Sequence, residues 1–397
     1  MTAAGVAREA WPTVPAGEVL RRVRTLAAID PQDTYKQVTV RINHRGATLR
    51  KEVLGAELGT AVWEVRSGQF ILSGIDARNG AFALVPPELD RAIVTNDFWA
   101  FAIDERLDPA FFDHFCGTAS FRAACKRASE GSTNRVRLKP DSFARVPVPL
   151  PPLADQRRVV ARLNLLLNRI GECQRLGAEV ATDLSALRGA LIQEAYDALT
   201  RTLGSAPISE VCTSITDGTH VTPTFSEEGV PFIFVGNVSS GKLTLTPSKR
   251  VAPAWYEAIS ESRRPERGDL VYSVVGATLG VPAIVDTDAP FCFQRHVAIL
   301  KPHPKRSAPS FLWWMLQAPS VVRDAWARTT GSAQPTLPLA GLRRLKMPLA
   351  PMEVQLDVSS KLTERIGRLE AASTRPSDDD YATLKRMLLT AAFSCRL

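Results

Sequence analysis

The compact signatures of catalysis are missing from this 397-residue sequence. It has no GxSxG elbow, no HExxH helix and no HxE with PCxxC pair, which excludes the common serine-hydrolase, zinc-protease and zinc-deaminase sites. A methyltransferase acting on a base amino group needs an Asn- or Asp-Pro-Pro-aromatic string, and the nearest, DPAF at Asp108, lacks the second proline. GNVSSGKL, Gly236 to Leu243, carries the glycines and the lysine, Lys242, of a phosphate loop. Leu243 stands where a magnesium-binding hydroxyl is required, and KLTLTPSKRV then alternates like a strand where that loop must open a helix. A β-hairpin turn is the better reading. No catalytic residue, metal ligand or cofactor is assigned.

Cysteine is scarce and scattered: Cys116, Cys125, Cys173, Cys212, Cys292 and Cys395 form no CxxC pair and no cluster with the five histidines. Zinc ligation therefore lacks its spacing, and reduced structural thiols are expected. No stretch reaches the eighteen or so apolar residues of a membrane span, and the start MTAAGVAREAWP has no apolar run, so a cytoplasmic protein without membrane contact is expected. His296 and His303, beside Arg295 and Lys301, read as solvent or phosphate contacts rather than an acid-base pair.

What is present is a folded composition, 45% hydrophobic and 23% charged, with a net charge of +8. The apolar share supports real cores and the length suits about two of them. The positive excess favours a polyanionic partner, because basic residues release counterions condensed on phosphate.

The chain repeats itself. At an offset of 200, Gly68 falls on Gly268, Pro109 on Pro309 and Gly131–Ser132 on Gly331–Ser332, while DPAFFDHF and APSFLWWM share an aromatic pattern. At 199, PVPLPPLADQ overlays KMPLAPMEVQ and pairs Pro149 with Pro348, Pro152 with Pro351 and Gln156 with Gln355. A register kept over about ninety residues indicates duplication. Each unit runs from a strand-rich part, about 16 to 148 and 206 to 347, through a stiff Pro-rich hinge to a helical stretch. Within the strand-rich parts helices are predicted over Pro109 to Ser129 and Pro309 to Arg328.

From Ala154 to about Leu199 the apolar residues follow a heptad, with Leu163, Ile170, Leu184 and Leu191 at one core position and Leu166, Cys173, Val180 and Leu187 at the other. The second stretch repeats this through Val358, Leu362, Ile366 and Leu369, breaks at TRPSDDD, and resumes at Tyr381, Leu384, Leu388 and Ala391; Pro376 requires the break and Ser377 caps the restart. Two homologous stripes that both need apolar partners are expected to pack on each other. The predicted fold is α+β: two strand-rich domains separated by two long helices packed as an antiparallel coiled coil, with pseudo-twofold symmetry.

This plan, with the junction PLPPLADQRRVVARLNLLLNRI (Pro149 to Ile170), resembles the specificity subunits of Type I restriction-modification enzymes. ITDGTHVTPTFSEEGVPFIFVGNVSSGKL and GDLVYSVVGATLGVPAIV in the second repeat, and GQFILSGIDARNGAFALV with TNDF in the first, are similar to segments that recur in that family. The second junction, MEVQLDVSSKL, departs from it in lacking the acidic-Gln-basic series.

The resemblance implies target recognition domains at 1–148 and 201–347 and spacer helix regions at 149–200 and 348–397. Each domain would read one half of a split site on double-stranded DNA, and the chain itself would be non-catalytic. Two adenine methyltransferase (modification) subunits would bring S-adenosylmethionine, and restriction/translocase subunits would bring ATP hydrolysis and cleavage. Half-sites read on one face of DNA lie roughly 34 Å apart, a span that about 23 helical residues cover. DNA-contact candidates are Arg41, His44, Arg45, Arg50 and Lys51 in the first domain and Thr219, His220, Lys242, Lys249 and Arg250 in the second. Asp217 to His220 reads equally as a structural turn. Partner-contact candidates at the junctions are Gln156, Arg157, Arg158 and Gln355. Alternatives are a self-contained enzyme, against which the missing motifs argue, and the recognition subunit of a related Type II-like or other phage-defence complex.

Overall fold

A computed structural model of the chain describes residues 11–130, 136–238, 241–246, 249–331, 333–372 and 376–394. Gly131, Ser132, Ser239, Ser240, Pro247, Ser248, Ser332, Thr374, Arg375 and Cys395, all used above, lie outside the described residues. Two compact units emerge, Met1–Leu176 with Pro376–Leu397 and Gly177–Arg375.

In the first unit β1 (Thr13–Pro15), β2 (Leu20–Val23), β3 (Thr25–Leu26), β4 (Thr34–Val40), β5 (Ala47–Leu54), β6 (Trp63–Glu64), β7 (Phe70–Ser73), β8 (Phe82–Leu84), β9 (Ile93–Val94) and β10 (Phe98–Ile103) precede α1 (Pro109–Cys116) and α2 (Ala119–Arg127). Strands order as β2-β10-β7-β8 in one sheet and β3-β6-β9-β4-β5 in another. Adjacent side chains on a strand point to opposite faces. Phe70 and Leu72 of β7 therefore join Phe111, Phe112 and Phe121 on the helical side, while Ile71 joins Val38, Val40 and Ala83 on the other. All of β7 is buried, and each buried phenylalanine contributes about 2 kcal/mol.

The predicted single helix over Pro109 to Ser129 is two helices, because the Thr118 hydroxyl donates to the Phe115 carbonyl and accepts the Phe121 amide, ending one helix and capping the next. The Pro-rich hinge is a strand as well: β11 (Pro147–Pro149) pairs antiparallel with β1, Val148 opposite Val14. This pairing brings together the two ends of the domain.

From the hinge springs α3 (Leu153–Leu203), longer than the heptads indicated and continuous through Gly177. The second unit then repeats the plan. β12 (Ser205–Pro207), β13 (Cys212–Asp217), β14 (Phe225–Ser226), β15 (Val230–Ile233), β16 (Lys249–Val251), β17 (Leu270–Ser273), β18 (Pro282–Ile284), β19 (Cys292–Phe293) and β20 (Val297–Pro302) lead to α4 (Pro309–Met315) and α5 (Pro319–Ala327). The sheet β13-β20-β17-β18 matches β2-β10-β7-β8 strand for strand, and the other sheet is β14-β16-β15-β19. Leu270 and Tyr272 of β17 face Phe311, Leu312 and Met315, and Val271 faces Ile233 and Phe293. Here Pro319 divides the predicted helix, since the residue before proline is driven out of helix and Ala318 takes ψ 129°. The hinge β21 (Lys346–Pro348) pairs with β12.

The second helical stretch breaks as its sequence indicates into α6 (Met352–Ala372) and α7 (Asp378–Phe393), with Ser377 and Asp380 exchanging a capping box. The two pieces belong to different units. In the second unit Leu362 and Ile366 of α6 share a cluster with Ile192 and Tyr196 of α3. There Arg188 meets Glu370 at 3.9 Å, while the Tyr196 hydroxyl bonds to the Lys346 carbonyl near the start of α6, so the helices run antiparallel. In the first unit Lys385 of α7 bonds to Gln174 at 2.9 Å and Phe393 packs on Trp11, Phe111 and Phe115. Of the predicted heptad seam, Leu163 and Ile170 are buried, but Cys173, Val180 and Leu187 are exposed. The second core position is therefore corrected to a solvent-facing one over the middle of α3.

One side chain ties each helix to its domain. Gln156 has 0% exposure; its Nε2 donates to the carbonyls of Arg106 and Pro151, both at 2.8 Å, and its Oε1 accepts the Asp108 amide at 2.7 Å. Gln355 repeats the pattern with Arg306, Ala350 and the Ala308 amide at 2.8, 2.7 and 2.8 Å. A leucine at either position leaves three backbone groups without partners. At roughly 1–3 kcal/mol for an unsatisfied buried group, Gln156→Leu and Gln355→Leu should each lower the stability of their own unit by about 3 kcal/mol in urea unfolding, whereas exposed Gln32→Leu should cost under about 0.5 kcal/mol. Losses below about 1 kcal/mol at both glutamines would refute this role.

Candidate nucleic-acid interface

In the first unit the candidates cluster on the β4–β5 hairpin. Asn43 and His44 both have positive φ, 59° and 54°, and their amides bond to the carbonyls of Asn79 and Gly80 at 2.8 and 2.7 Å, which holds the tip against the domain. His44 is drawn inward: its Nε2 lies 3.1 Å from Asp113 Oδ1 and its ring 5.5 Å from that of Phe82. It pins the hairpin to α1. Arg41, Arg45, Arg50 and Lys51 stay exposed, and Arg41 Nε bonds to Thr48 Oγ1 at 3.2 Å. Gln37 pairs with Lys51 and Val38 with Leu49, so Arg50 is the extra residue of a bulge on the edge strand β5. Four cations thus lie exposed on the loop and edge strand of this hairpin.

In the second unit Thr219 and His220 follow β13. Gly218 admits no side chain, since a Cβ there would collide with the Phe293 carbonyl. The Thr219 amide bonds to that carbonyl at 2.9 Å, and the Thr219 hydroxyl accepts the Val221 amide at 3.1 Å. Thr219 is buried, so the reading of this segment as a structural turn holds for it. His220 is half-exposed, with Nε2 2.7 Å from Asp217 Oδ2; Arg263 Nη1 donates to Asp217 Oδ1 at 2.8 Å and to the Gly218 carbonyl at 2.6 Å. Thr219, His220 and Arg263 line a groove of about 590 Å³ together with Val221, Trp255 and Ile259. Sequence reasoning missed Arg263 and Trp255, which lie some forty residues from the turn they join and carry no local motif.

Neighbouring positions on β16 divide the remaining candidates. Lys249 Nζ lies 4.0 Å above the Phe225 ring, and Arg250 bonds to the Gly229 carbonyl at 2.8 Å. Lys242 is exposed. The strand predicted across Lys242 to Val251 forms only at Lys249–Val251 among the described residues. Lys301 is half-buried and paired with Asp269 at 2.8 Å and Glu266 at 2.9 Å.

The junction candidates separate into inner and outer pairs. Gln156 and Gln355, expected at a partner surface, are buried with their polar atoms engaged by their own backbone, and that expectation is corrected accordingly. Arg157 and Arg158 are on the surface, the first 3.9 Å from Asp108 and the second 2.9 Å from Asp155. Burial pushes the thiols of Cys125, Cys212 and Cys292 up to about 12, and that of Cys116 well up. These four are packing groups, not nucleophiles. No helix among the described residues is long and apolar enough to cross a membrane.

Comparison with known proteins places this arrangement. No family model matches the chain, and no curated protein matches it. Among solved structures, a chain from a study of complex assembly and conformational transition in the type I R-M system aligns over 99% of this chain and 100% of its own length, with TM-score 0.73 and 22% identity. The HsdS subunit from Thermoanaerobacter tengcongensis aligns over 100% of both chains, with TM-score 0.58 and 21% identity. Two strand-rich domains that share one four-stranded sheet order, each packed with part of α3, thus form the fold that these solved structures have.

Proposed function

We propose that this chain is the DNA-specificity subunit of a Type I restriction-modification complex, each strand-rich domain reading one half of a bipartite site. The duplicated sheet order carries the reading: two like domains of one chain, each displaying cations, suit a target with two half-sites. Arg41, Arg45, Arg50 and Lys51 on one hairpin, and His220, Lys242, Lys249 and Arg250 in the second domain, are the contact groups. Arginine reads guanine with two hydrogen bonds and lysine pairs with phosphate. Chemistry comes from partners, two adenine methyltransferase subunits and the restriction/translocase subunits, and the complex works in the cytoplasm. The exposed Arg157 and Arg158 at the start of α3 are surface contacts for those partners.

The isolated chain should bind duplex DNA with strong salt dependence and transfer no methyl group. Addition of cognate modification subunits should produce methylated adenines in a split site. Methyl transfer by the chain alone, or a flat salt response, would contradict the proposal.

The helices act as the ruler in this reading. Because α7 packs antiparallel to the first half of α3, a heptad inserted within Leu163 to Ile170 must be matched by one in α7, beyond Lys385, to keep the seam. The pair lengthens by about 10 Å, and the gap between half-sites should grow by up to roughly three base pairs at about 3.4 Å each. Methylation mapping reads the gap, and an active complex with an unchanged gap would show that these helices do not set it.

A further inference from the structure

Two arginines outside the hairpin have a setting unlike that of other cations in the first unit. Arg22 on β2 and Arg24, between β2 and β3, are two residues apart along an extended edge, so they leave the same face. The Arg22 guanidinium carbon lies 4.5 Å from the Trp99 ring centre, and that of Arg24 lies 4.2 Å from the Trp63 ring centre. Arg24 Nη2 also donates to Asn96 Oδ1 at 3.0 Å. Stacking on an aromatic face fixes the planar fork and leaves its N–H edges outward.

Arg66, Arg106 and Arg137 of the same unit each hold a carboxylate at 2.7 Å. Arg22 and Arg24 have no carboxylate partner among the described residues. Burial, and then the charge of Arg24, hold the Arg22 guanidinium below the usual arginine range. Two ordered like charges with no counter-ion make a place where an anion relieves repulsion.

Topology adds a second observation. β2 occupies in its sheet the edge position of β13 in the other, so Arg24 follows β2 as Gly218 to His220 follow β13. In the second unit that position borders the groove where Arg263 and Trp255 stand together. The same end of the repeated sheet thus carries arginine and tryptophan in both domains, stacked in the first and lining a common groove in the second. In the second unit Asp217 neutralises the arginine, whereas in the first no carboxylate does so.

We infer that Arg22 and Arg24, held on Trp99 and Trp63, clamp the phosphate backbone of DNA beside the half-site read by the first domain, an inference that rests on the DNA-reading role proposed above. Phosphate suits forks that are held over their rings and present only donors. The clamp would position the domain without reading sequence.

The test uses the full chain and a nonspecific DNA duplex, with affinity measured across a salt series and folding checked by circular dichroism. At about 0.9 per phosphate neutralised, R22Q/R24Q should lower the slope of log K against log salt by about 1.8. R22K/R24K should keep the slope but bind more weakly, because lysine lacks the stacked fork. R162Q/R169Q, removing two exposed charges from α3, should leave the slope unaltered. A folded R22Q/R24Q variant with an unreduced slope overturns the clamp alone, as does an equal fall in the α3 control. Should R22Q/R24Q fail to fold, a reduced slope in R22K/R24K overturns the clamp, and a kept slope with weaker binding supports it. Absence of DNA binding by the unaltered chain overturns both the clamp and the DNA-reading role.

Discussion

A buried glutamine amide is the constraint on which each unit depends. Gln156 and Gln355 sit at the first turn of α3 and α6, where a hinge strand ends and a helix begins, and each meets one amide and two carbonyls of its own chain. The amide it accepts belongs to the residue that opens the helix carrying core phenylalanines, α1 with Phe111 and Phe112 or α4 with Phe311. A single side chain therefore links hinge, outgoing helix and domain core. Glutamine suits the place because it offers two donors and an acceptor in one plane, whereas glutamate or leucine would leave carbonyls unmet. The paired strands β1–β11 and β12–β21 complete the junction by holding the domain's own ends together.

With that junction fixed, the surfaces divide the work. The central strands β7 and β17 are buried on both faces, and the candidate cations lie outside them, on the β4–β5 hairpin, on loops and on β16. The β4–β5 hairpin carries them as an exposed bulged edge, and the second domain spreads them over the segment after β13, the loop at Lys242 and β16. The difference suits domains that read different half-sites on one scaffold: the sheet order is common, while the elements that display charge are particular to each domain.

Much of this was legible in the sequence. The offsets of 200 and 199, carried by Gly, Pro and aromatic spacing, gave the duplication, and Pro376 with Ser377 gave the break between α6 and α7. Gln156 and Gln355 are visible as a repeated pair, but their partners are backbone groups, which leave no side-chain signal, so sequence alone points them outward. His44 looked like a contact in a basic run; its partner Asp113 lies 69 positions away. The heptad after Ala154 holds as helix and, at Leu163 and Ile170, as seam, but not at its second core position, because apolar spacing does not say which positions a partner helix covers. Arg22 and Arg24 gave no hint, since the tryptophans that order them come from distant strands.

The central claim is that two independent readers share one chain, and exchange of one reader tests it most directly. Residues 16 to 148 would be replaced by the equivalent domain of a subunit with a different target, and methylated adenines mapped in the assembled complex. One half of the recognised sequence should change and the other remain as it was. An active hybrid that altered both halves, or neither, would contradict the account.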